Sequence, residues 1–110
     1  MKIELITDKD CPNVSEAKNV LKNTLKSLGI EITWQEWDRE DESAPSYAKK
    51  FGSPTILVNG RDVSGEDASS GENCCRVYRD KSGKFRGVPS IELVRSAIYL
   101  AQSNKSGWTR

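Results

Sequence analysis

The chain of 110 residues contains no histidine. That absence excludes Cys-His nucleophiles, Ser-His-Asp triads and every zinc site built on imidazole. Neither sign of charge is in excess. Lys and Arg number 17 against 16 Asp and Glu, a net charge of +1. The charges are interspersed as on an ordinary solvated surface, so nucleic acid is not an expected partner. No run approaches the roughly 18 apolar residues of a membrane span, and no membrane partner is expected. A strand pattern begins at once at the N-terminus, without a basic region or apolar leader, which reads as a cytoplasmic protein. Cysteine is scarce, with three residues at 11, 74 and 75. An odd count without regular spacing is not the framework of a secreted disulfide scaffold. In a reducing compartment such thiols are reactive, metal-binding or buried.

What is present organises as one small α/β domain. Residues 2–7 read as a strand carrying Ile3, Leu5 and Ile6. Over residues 12–28, Val14, Ala17, Val20, Leu21, Leu25 and Leu28 recur at the helical period. Pro12 suits the first helical position, and Gly29 suits the stop. The alternation in residues 30–37 predicts a half-buried strand, and residues 44–51 a short helix with Pro45 near its start. Residues 55–58 form the next strand, and Asn59-Gly60 signals a hairpin returning over 61–63. Residues 90–102 form the last helix, capped by Ser90, with Ile91, Val94, Ile98 and Ala101 turned inward. The domain is expected to span residues 1–102, with an inserted loop at about 64–89 and a flexible tail at 103–110. A strand–helix–strand succession implies a parallel crossover and the hairpin an antiparallel edge strand. The expected architecture is a mixed four-stranded sheet flanked by helices.

Cys11 follows the first strand and precedes the first helix. Unpartnered backbone N–H groups and the positive end of a helix dipole favour an anion at such a junction, which suits a nucleophilic or metal-binding thiol. Asp8 and Asp10 act against this, and Lys9 offsets them in part. The competing role for Cys11 is that of a small buried apolar residue. A dithiol C-x-x-C motif would need cysteine at position 14, where Val14 stands. Cys74 and Cys75 either pack in a short strand or reach Cys11, the latter requiring Cα atoms within about 7 Å.

This order of elements, with Cys11 at the first strand-to-helix turn and Ser53-Pro54-Thr55 before the third strand, resembles the thioredoxin fold. The stretch from Ser53 through Asn59-Gly60 to Gly65-Glu66-Asp67 is similar to the glutaredoxin pattern of proline, strand, N-G hairpin and Gly-Asp turn. The resemblance covers residues 1–67 and the last helix, and leaves 68–88 unexplained. It implies a cis peptide before Pro54 and a catalytic Cys11, with Pro54 as docking point and Cys74 or Cys75 as a resolving thiol. Pro12, Ser53, Thr55, Gly65, Glu66 and Asp67 would bind the substrate, a peptide or glutathione thiol or disulfide, so that the chain would be a thiol-disulfide oxidoreductase. A second resemblance, carried by Cys74-Cys75-Arg76-Val77-Tyr78 beside Cys11, is to the organomercurial (alkylmercury) lyase group. It implies soft-metal thiolate binding, of mercury type, by Cys11 with Cys74 or Cys75. A third reading is a non-catalytic adaptor whose cysteines are structural.

Overall fold

The computed structural model describes residues 1–8, 11–31, 33–64, 78–79, 82 and 84–107. Strand β1 (Ile3–Thr7) leads to helix α1 (Val14–Ser27) and strand β2 (Gln35–Asp38). A 3-10 helix (Ser46–Lys50) precedes the hairpin of β3 (Thr55–Val58) and β4 (Arg61–Asp62). A second pair, β5 (Tyr78–Arg79) and β6 (Phe85–Arg86), precedes helix α2 (Ile91–Gly107). The main sheet has the order β2-β1-β3-β4. β1 runs parallel to β2, with Glu4 opposite Gln35, and antiparallel to β3, with Leu5 opposite Ile56. The expected mixed four-stranded α/β sheet is therefore present. β5 and β6 form a separate antiparallel pair.

β1 and β3 are buried on both faces, so alternate residues serve two different cores. Ile3, Leu5, Ile56 and Val58 face the helices, against Ala17, Leu21 and Leu25 of α1 and Val94 and Ile98 of α2. Ile6 and Leu57 face the other way, against Ala44 and Ala48, with Trp37, Tyr47 and Phe51 packed around them. Between those apolar residues lies Glu4, only 1% exposed. The Trp37 indole donates to its carboxylate at 2.8 Å and the Tyr47 hydroxyl donates to the same oxygen. A carboxylate so deeply placed is tolerable only because it accepts these hydrogen bonds.

Several boundaries differ from the sequence pattern, each for a local reason. Helix α1 starts at Val14 rather than Pro12, because Asn13 is the cap and its carbonyl accepts the Ala17 N–H at 3.0 Å. The helix ends as Gly29 requires: at φ +68° its N–H donates to the Lys26 carbonyl, and the Ile30 N–H donates to Leu25. These are the paired bonds of a Schellman ending, with Ile30 packed against the core that holds Leu25. That packing takes Ile30 and Trp34 out of the predicted strand, which begins only at Gln35. The helix expected over 44–51 is a 3-10 turn, opened by Pro45 in an extended conformation. Asn59 and Gly60 both have positive φ, as a two-residue hairpin turn of type I′ demands. Ser90 caps α2, its hydroxyl accepting the Leu93 N–H at 3.1 Å, and the helix continues to Gly107, past the expected end at 102. Among the described residues no helix is long and apolar enough to cross a membrane.

Candidate thiol site

The end of β1 and the start of β3 lie at the same edge of the sheet, because Ile6 and Thr55 are opposite each other in the ladder. This register brings the turn that carries Cys11 to the segment that carries Pro54. The Cys11 N–H donates to the Asp8 carbonyl at 2.9 Å. The Asp8 N–H in turn donates to the Ser53 hydroxyl oxygen at 2.8 Å. Cys11 and Ser53 are thus two hydrogen bonds apart. The Ser53–Pro54 peptide is cis, as the glutaredoxin resemblance implies.

The charge of Asp8 is met by Arg39, 31 positions away in the chain. The Arg39 guanidinium lies 3.5 Å from the Asp8 carboxylate, with both side chains about an eighth exposed (12% and 13%). Arg39 is held there by its own backbone, whose N–H donates to the Thr7 carbonyl at 2.8 Å. A partly buried pair of this kind is screened little by salt. Lys9 and Asp10, weighed from sequence as further charges near Cys11, lie outside the described residues.

The edge is closed. Cys11 is 7% exposed, Ser53 and Thr55 are fully buried, and Pro54 is among the most buried side chains. Among the described site residues, Pro12 alone is exposed. The Thr55 hydroxyl donates to the Gly52 carbonyl at 2.7 Å, fixing the bend that leads into β3. Gly65, Glu66, Asp67, Cys74 and Cys75 lie outside the described residues, so the expected resolving thiol and the acidic end of the binding segment have no described position. Among the described residues no group of three or more Cys, Asp or Glu is placed to hold a metal.

Two residues at this edge carry no role in the sequence reading. Tyr78 of β5 is 4% exposed, and its hydroxyl donates to the Pro54 carbonyl at 2.5 Å. A buried tyrosine in a short strand needs an acceptor for its hydroxyl, and this was the signal available in the sequence. Gly87, which follows β6, sits against the Asn13 side chain: a Cβ built there would be 2.3 Å from Nδ2. The Asn13 amide is turned to Gly87 and makes no side-chain cap on α1. Tyr78 and Gly87, both in the stretch that the glutaredoxin resemblance leaves unexplained, therefore touch the Pro54 segment and the turn that follows Cys11. The chain matches no protein-family model, no curated protein and no solved structure among those compared with it.

Proposed function

We propose that the chain is a thioredoxin-like thiol protein of glutaredoxin type in which Cys11 forms mixed disulfides with glutathione or peptide thiols. The observation that carries this reading is the hydrogen-bonded link from Cys11 through Asp8 to Ser53. It holds the thiol turn and the proline segment at one sheet edge. The strand order β2-β1-β3-β4, with β3 antiparallel to both neighbours, supports it as well. In the reaction the Cys11 thiolate attacks one sulfur of a disulfide. The old S–S bond breaks, a Cys11–sulfur bond forms, and the leaving thiolate takes up a proton from solvent. A second thiolate then attacks the substrate sulfur of the mixed disulfide and releases Cys11. With Val14 in place of a second cysteine, that attacking group is glutathione; a thiol from elsewhere in the chain would instead attack the Cys11 sulfur, expel the substrate thiolate and leave an intrachain disulfide for glutathione to reduce.

The burial of Cys11 favours one rival, an adaptor in which the thiol only packs. Incubation with glutathione disulfide, followed by mass spectrometry of the Cys11 peptide, separates the two. A glutathione adduct on Cys11 that glutathione removes, absent in Cys11→Ser, is the expected result. An unmodified Cys11 peptide after prolonged exposure would sink the oxidoreductase reading.

A further inference from the structure

We infer that the β5–β6 hairpin is a strap closed across the Cys11–Pro54 edge, with the Tyr78 hydroxyl as its latch, and that access to Cys11 requires the latch to open. The inference rests on the proposed thiol chemistry for its purpose, and on independent contacts for its geometry. The two legs of the hairpin attach to the two halves of the site. Tyr78 on the first leg donates to the Pro54 carbonyl, and Gly87 after the second leg lies against Asn13, two residues from Cys11. The strap thus bridges the two loops that the Asp8 hydrogen bonds already join.

Three features of this closed edge bear on substrate. First, the Pro54 carbonyl is already engaged by the Tyr78 hydroxyl. Second, Ser53 and Thr55, whose backbone is expected to receive an extended substrate, are fully buried. Third, Cys11 itself is 7% exposed, so a disulfide cannot approach it in line without movement. The attachments differ in strength. Val88, which follows Gly87, is 4% exposed and belongs to the main core, so this end of the strap is the fixed one. Beyond it, an open cleft of about 600 Å³ separates Arg86 and Pro89 from Glu16 and Val20 of α1. The strap therefore has room beside it, and Tyr78 is the contact whose loss uncovers Pro54. A hydrogen bond is a small barrier to opening, while an orphaned buried carbonyl is costly enough to bias the closed state.

The test is the rate at which iodoacetamide alkylates Cys11 in the native full-length chain, read on the Cys11 peptide by mass spectrometry. Tyr78→Phe keeps the ring and removes the latch hydroxyl, and is expected to raise the rate roughly tenfold, the factor that about 1.4 kcal/mol of lost closure gives. Gly87→Ala, which pushes the second leg off Asn13, is expected to raise it too. Ile98→Val in α2 is the control for a general loss of stability, and is expected to leave the rate unchanged. Equal rates in wild type and Tyr78→Phe overturn the strap, and so does an equal rise in Ile98→Val. Faster alkylation in Tyr78→Phe with no glutathione adduct in either protein upholds the strap while removing the mixed-disulfide reading.

Discussion

At the scale of single residues the least expected placement is Glu4. A strand residue that alternation assigns to a core face is a carboxylate at 1% exposure, serving as acceptor for Trp37 and Tyr47. Its third neighbour is the Lys2 ammonium at 3.9 Å, which stays 60% exposed and extends to it along the sheet edge. The consequence falls on Tyr47. Its hydrogen bond to Glu4, then burial, then the carboxylate charge push its pKa from the ordinary 10 up to about 12. A phenol with a higher pKa in the folded than in the unfolded chain stabilises the fold fully below the unfolded value. That contribution is lost as the pH rises from 10 towards 12. Urea unfolding across that range should show wild type losing a contribution that Tyr47→Phe never had. At neutral pH Tyr47→Phe should cost about 1.5–3 kcal/mol, the range for a hydrogen bond to a charged group. Equal pH profiles for the two proteins would remove Glu4 as the cause.

At the scale of elements, the segments with strong local signals are where the sequence places them. β1, β3 and the Asn59-Gly60 turn follow from a short apolar run, a second such run and two residues able to take positive φ. The start of α1 was legible only to within two residues. Pro12 is compatible with the first helical turn, and nothing in the sequence says that Asn13 will take the cap while its side chain turns elsewhere. That choice depends on Gly87, which is 74 positions away in the chain. The pair makes a direct prediction. Gly87→Ala should destabilise by about 1–3 kcal/mol, because the new methyl meets the Asn13 amide. Asn13→Ala removes the obstructing atoms, so the double variant should recover much of the loss. Strictly additive unfolding free energies for the two substitutions would contradict the contact.

At the scale of the whole molecule, stability is concentrated between the sheet and the two long helices. Leu21 is fully buried between β1 and α2 partners, and Leu21→Ala should cost about 2–5 kcal/mol. That is a large share of the roughly 5–15 kcal/mol that a domain of this size possesses. By contrast Lys18 and Glu36 pair at 3.3 Å with both side chains more than 40% exposed. Lys18→Ala should therefore change stability by less than about 0.5 kcal/mol, and less still in 1 M salt. Chemical denaturation of both variants at low and high salt checks the two together.

The sequence by itself determined the class of the fold, because hydrophobic period and turn chemistry are local quantities that survive without knowledge of neighbours. It also determined what chemistry is excluded, since a chain without histidine cannot use imidazole wherever its residues end up. It placed Cys11 and Pro54 as candidates, and only the glutaredoxin resemblance, not periodicity or spacing, implied that they meet. The tertiary structure brings them to one edge, because the β1–β3 register decides which strand ends share it. The pairing of Asp8 with Arg39, the buried Glu4 and the Tyr78 latch belong to the same class. Each joins residues more than 30 positions apart or, for Tyr78 and Pro54, separated by 24. No periodicity records such a contact, since the energy that fixes it arises only when both groups leave water together.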